Sequence, residues 1–90
     1  MNYILQANCA LMNQDCDTTV KVIYKNADSG HILSKGLFPY EEFTITQEDW
    51  ELSQNQDVMR SIEYDGYIDM KMTVEQVDSD KIIFAPQEKD

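Results

Sequence analysis

Residues 46–66 read Thr46-Gln-Glu-Asp-Trp-Glu-Leu-Ser-Gln-Asn-Gln-Asp-Val-Met-Arg-Ser-Ile-Glu-Tyr-Asp-Gly66, and their assignment decides whether the domain is a sheet with a helix or something else. The start has the chemistry of a helix N-terminus. Thr46 stands as a cap, and Glu48 and Asp49 fall in the first turn, where each negative charge gains roughly 0.3–1 kcal/mol from the helix dipole. Asp65-Gly66 supplies a stop. At about 100° per residue, Leu52, Val58, Met59 and Ile62 share one sector, with Trp50 nearly opposite. The spacing predicts a helix over about 47–64 whose apolar sector packs on a sheet.

Downstream the period changes to two. Ile68, Met70, Met72 and Val74 alternate with Tyr67, Asp69, Lys71, Thr73 and Glu75, the clearest strand pattern in the chain, with the first set predicted to face inward. Asp78-Ser-Asp80 makes a turn, and residues 81–85 (KIIFA) pair back as a last strand before Pro86. Upstream, Glu42–Thr46 alternates with Phe43 and Ile45 inward. Thr18–Lys25 alternates with Val20, Val22 and Tyr24 on one face, and residues 2–8 (NYILQAN) are rich in strand formers. A hairpin of these first two strands is the economical topology. Residues 31–40 contain Gly36 and Pro39, so any strand there is short and lies at an edge or bulge. The predicted class is α+β: an antiparallel sheet of about five strands with one helix, about 47–64, packed on one face. Ninety residues make a single compact domain over 1–90, with a tail frayed from about residue 86.

Charge is the strongest functional signal. Between Glu41 and Asp69 lie nine carboxylates (Glu41, Glu42, Glu48, Asp49, Glu51, Asp57, Glu63, Asp65 and Asp69) against Arg60 alone, a net of −8 within a chain of −10. Such a concentration repels itself in the folded state; it serves solubility, steering toward a basic partner, or imitation of a polyanion. On the helical wheel Glu48, Asp49, Glu51, Asp57 and Glu63 spread around the axis, so the sequence predicts broken patches and not one phosphate-like track. Trp50, Tyr64 and Tyr67 stand among these charges, and aromatic residues are frequent interface anchors. Trp50 suits a core position and an interface position equally; Tyr64 suits the core better.

Catalytic chemistry finds little support. His31 is the sole histidine, directly after a turn glycine, and no local signature joins it to Cys9 or Cys16 as a nucleophile pair. The two cysteines stand too far apart for zinc-ligand spacing, and with no export signal at the N-terminus they read as two reduced thiols. Asp78-Ser-Asp80 lacks the glycine and distant glutamate of a calcium loop, and Gly30, Gly36 and Gly66 stand alone, unlike a phosphate-cradling loop. Lys21 and Lys25 on one strand face are the largest basic footprint, which opposes direct nucleic-acid binding. No cofactor, metal or membrane association is expected.

These readings point to a non-enzymatic inhibitor whose partner is a basic protein, a nucleic-acid-binding enzyme or effector. The residues expected to meet it are the nine carboxylates with Trp50 and Tyr67. In size and charge the chain is similar to the small acidic inhibitors that phages encode against host defences, anti-CRISPR proteins and DNA mimics among them. That likeness is one of type, carried by length and charge and by no motif; it implies a viral protein at work in the host cytoplasm. The alternatives are an accessory or structural subunit that uses a sheet edge near residues 31–33 or the last strand, and a toxin-neutralising immunity protein with the same charge.

Overall fold

The computed structural model describes residues 2–12, 15–54, 56–63 and 66–86. Along these run β1 (Asn2–Leu5), α1 (Cys9–Met12), β2 (Val20–Asn26), β3 (Ile32–Phe38), β4 (Phe43–Thr46), α2 (Gln47–Ser53), β5 (Val58–Glu63), β6 (Tyr67–Val77) and β7 (Lys81–Pro86). All seven strands join one sheet in the order β3-β2-β5-β6-β7-β1-β4. Its end strands β3 and β4 come back into contact, so the sheet curls into a nearly closed barrel. It is mixed, because β1 runs antiparallel to β4 and parallel to β7.

This corrects the expected five-stranded antiparallel sheet with a helix over 47–64. The helix begins as predicted, with the Thr46 side chain accepting from the Asp49 amide at 3.1 Å, but it ends at Ser53. There the serine hydroxyl turns back onto the Asp49 carbonyl at 2.7 Å, a local bond that competes with helix continuation. The Gln56 amide then closes a turn on the Ser53 carbonyl at 3.1 Å. From Val58 the chain takes partners on both sides: Lys21↔Glu63 to Asn26↔Val58 against β2, and Val58↔Met72 to Glu63↔Tyr67 against β6. Val58 and Ile62 lie four residues apart and share a face under either period, so the wheel could not separate helix from strand. Period two adds Arg60 to the inward side.

Other expectations change with it. Residues 2–8 and 18–25 form no hairpin; β1 lies between β7 and β4, and β2 pairs with β3 and β5. Cys9 and Cys16 are joined in a disulfide, not held as two reduced thiols, and the bond closes a loop that holds α1 and its buried Met12. β3 is a full seven residues, though it does lie at one end of the sheet and carries a register shift at Leu33, opposite Tyr24/Lys25. On β6, Met72 is buried as predicted, Met70 is partly buried, and Ile68 and Val74 are exposed.

The core forms where the inward residues Val20, Val22 and Tyr24 of β2 meet Phe38, Phe43, Ile45, Ile62, Ile82 and Phe84. An aromatic row crosses it: Tyr3 to Trp50 at 6.2 Å between ring centroids, Trp50 to Phe84 at 6.4 Å, Phe84 to Tyr24 at 6.0 Å and Tyr24 to Phe43 at 5.7 Å. The α2 helix joins β4 to β5, strands separated in the sheet by β6, β7 and β1, and its Trp50 reaches β1 and β7. It turns Trp50, only 6% exposed, and Ser53 toward the core and leaves Glu48, Glu51 and Leu52 to solvent. Leu52, placed in the packed sector by the wheel, is instead 64% exposed. Two hydrogen bonds tie the exit of α2 to the end of β2: Asn26 Nδ2 to Gln56 Oε1, and the Ala27 amide to the Asp57 carbonyl at 2.9 Å.

Candidate protein-binding surfaces

The barrel divides the acidic stretch in two. The first part, Glu41 to Glu51, occupies the β3–β4 loop, β4 and α2. The loop is held by a two-way clasp: the Glu41 amide donates to the Leu37 carbonyl at 2.7 Å, and Glu41 Oε2 accepts from the Leu37 amide at 2.7 Å. Gly36 makes room for it, since a Cβ there would stand 2.8 Å from Glu41 Oε2 and 3.0 Å from a Phe43 ring carbon. Glu41, Glu42, Glu48 and Glu51 are exposed, and Asp49 is partly so. No lysine or arginine interrupts residues 40–52. Tyr40, 75% exposed, and Leu52 flank this acidic ledge. An open groove of about 360 Å³ runs from Tyr40, Glu41 and Glu42 to the end of β1, with Lys81 on its wall.

The second part, Asp57 to Asp69, lies on and beside β5 and β6, where strand pairing brings bases among the acids. Glu63 stands directly across from Lys21. Asp57 lies 3.9 Å from Lys71 Nζ. Asp69 accepts from the buried Ser61 hydroxyl at 2.5 Å. Tyr67, 63% exposed, lines a shallow cleft with Ile23, Lys25, Ile32 and Asp69. Asp65 and Tyr64 lie outside the described residues. Of the residues expected to meet a partner, Glu41 and Glu42 lie in the β3–β4 loop and Glu48, Asp49 and Glu51 on α2, at the two ends of the four-residue β4; Asp57, Glu63, Tyr67 and Asp69 lie on and beside β5 and β6, next to the lysines of β2 and β6. Trp50 is not available to a partner, because it fills the core. The sequence reading missed Tyr40 and Leu52. The Pro39-Tyr40 turn before two glutamates was a visible signal for the first, but nothing local marked the second.

Arg60, the one base inside the acidic stretch, does not offset this surface. It points inward, is 2% exposed, and has no carboxylate within ion-pair distance among the described residues. Its Nε finds no hydrogen-bond acceptor there, and one terminal nitrogen rests 3.9 Å from Met70 Sδ. Burial raises the pKa of Tyr24, and the neighbouring Arg60 charge and hydrogen bond pull it partly back.

His31 Nε2 lies 3.3 Å from Asp49 Oδ1 and links the β2–β3 turn to α2. The two nearby hydroxyls are engaged with backbone: Ser53 donates to the Asp49 carbonyl, and Ser29 accepts from the His31 amide at 3.3 Å. The pair thus fastens a turn to a helix, and neither serine hydroxyl is held on the imidazole.

Among the described residues no helix is long and apolar enough to cross a membrane. Comparison with known proteins brings no match: no family model fits the chain, and no curated protein or solved structure matches it.

Proposed function

We propose that the protein is a non-enzymatic inhibitor that sets its acidic ledge, Glu41, Glu42, Glu48, Asp49 and Glu51, against a basic, nucleic-acid-binding site on a larger protein. The observation that carries this reading is the run of carboxylates from 41 to 51, free of bases and flanked by exposed Tyr40 and Leu52. Charge of one sign raises the encounter rate with an opposite surface, and apolar or aromatic anchors at its margin supply contacts that slow dissociation. The ledge is shorter than the full acidic stretch, so it covers part of a nucleic-acid groove and does not trace a long phosphate track.

Charge reversal tests the reading. Basic nucleases and CRISPR effectors serve as partners in a titration of the wild type, Glu42→Lys/Glu48→Lys/Glu51→Lys and Asp57→Lys/Glu63→Lys/Asp69→Lys. The first variant is expected to lose binding about tenfold or more, the second less than about threefold, and wild-type binding should weaken between about 0.05 and 0.5 M salt. Equal loss in the two variants defeats the assignment to the ledge.

A second reading, the accessory subunit, draws on β6. Past Met72 that strand pairs with β7 on one side only, among the described pairings, and leaves an open edge with exposed Val74 and Val77. Association through that edge would persist in high salt. The phage-encoded, cytoplasmic setting belongs to the proposal as well, and the Cys9–Cys16 bond weighs against it, because cytosolic thiols are kept reduced. Alkylation of free thiols in protein taken directly from cells reads which state prevails.

A further inference from the structure

The outer wall of β2 and β3 has a chemistry opposite to the ledge. The register sets Lys21 beside Leu37, Ile23 beside Lys35 and Lys25 beside Ile32. Because neighbours along a strand alternate faces, these six residues share the outward side while Val20, Val22, Tyr24 and Phe38 point into the core. The result is a checkerboard of three lysines and three aliphatic side chains, bordered on the β5 side by Glu63 across from Lys21. None of the three ammonium groups has a carboxylate within 4.0 Å among the described residues. Ile32 is 46% and Leu37 43% exposed. Next to Ile23, Lys25 and Ile32 the wall opens into a cleft of about 360 Å³ whose other lining includes Tyr67 and Asp69.

We infer that this wall receives the acidic ledge of a second copy of the chain. The ledge carries the complementary set, carboxylates beside exposed Tyr40 and Leu52. Among the described residues no ion pair joins the wall to the ledge of the same molecule. A contact between two different patches is heterologous, so a pair of copies keeps one free wall and one free ledge, and the assembly grows with concentration. The inference goes beyond the external partner proposed above: a basic partner and a second copy compete for the same ledge.

Sedimentation equilibrium with two neutralised variants tests it. The wall variant is Lys21→Gln/Lys25→Gln/Lys35→Gln and the ledge variant Glu42→Gln/Glu48→Gln/Glu51→Gln. The changed side chains lie on the surface, and circular dichroism checks that each variant folds. The average mass of the wild type is expected to at least double between about 10 µM and about 1 mM, the range of weak association. Each variant alone should stay monomeric. An equimolar mixture should form a dimer and nothing larger, because only one intact wall meets one intact ledge. A wild type monomeric throughout, or variants that associate as the wild type does, overturns the inference, as does retention of an oligothymidylate by the wall. A monomeric wild type that still binds a basic protein through the ledge overturns self-association alone.

Discussion

Glu41–Glu51 and Asp57–Asp69 are alike as sequence, both acidic and both holding aromatic or aliphatic residues, yet the barrel gives them different surroundings. The first lies mainly on a loop and a helix, and the basic groups that reach it from elsewhere in the chain are Lys81, on the groove wall beside Glu41 and Glu42, and His31, against Asp49. The second lies on and beside strands, and β2 and β6 supply Lys21, Lys25 and Lys71 to its side. Charge read along a chain therefore describes a loop or helix surface well and a sheet surface poorly, because half of a strand's neighbours come from elsewhere.

The largest break in this comparison should come from Trp50→Ala. Loss of the indole against Tyr3 and Phe84 should cost about 3–5 kcal/mol in urea unfolding, enough to release α2 and with it the ledge. A cost below about 1 kcal/mol would mean that α2 does not depend on this contact to close the barrel.

The second test concerns Arg60, which lies in the acidic stretch but adds no charge to its surface. The double variant Tyr24→Phe/Arg60→Met removes a buried cation together with its neutral neighbour, and should gain about 1–4 kcal/mol. In the wild type, Tyr24 has a pKa raised above its ordinary 10.0. The unfolded chain therefore releases this proton first, so the stability that neutral Tyr24 contributes is intact below pH 10.0 and falls as pH rises above it. Absorbance titration of the phenolates should find one tyrosine that ionises later than the others.

Gly36→Ala should cost about 1–3 kcal/mol, since its methyl would force Glu41 and Phe43 to move. It should also loosen the β3–β4 loop and weaken partner binding, while leaving the wall beside β5 and β6 unchanged. The smallest effect should separate the two regions most directly. Glu63→Lys sets like charges across from Lys21 and should cost about 0.2–1 kcal/mol, whereas Glu42→Lys relieves repulsion and should cost nothing. Equal costs would erase the electrostatic difference between the regions.

Several strands were legible in advance, but the barrel they build was not. Alternation placed β2, β4 and β6 and the inward sides of the first two, and Thr46-Gln-Glu-Asp49 located the start of α2. Gly36 and Pro39 marked β3 as an end strand, although they did not show how Gly36 lets Glu41 fold over it. The ledge was legible as charge, but its limits were not, because the lysines that dilute Glu63 and Asp69 come from β2 and from the opposite side of the β5–β6 pair.

The sequence by itself determined the local period of three strands, the cap of α2 and the amount of negative charge, since each depends on residues close along the chain. Only the tertiary structure decided that Val58–Glu63 is a strand, that Trp50 faces the core and Leu52 the solvent, that β1 lies between β7 and β4, and that Cys9 bonds Cys16. Each of these turns on a partner: the backbone hydrogen bonds of β2 and β6 for β5, the rings of Tyr3 and Phe84 for Trp50, a second thiol for Cys9. Periodicity within a segment carries no record of such partners, and the ledge emerged only once they had drawn the other half of the acidic stretch into the sheet.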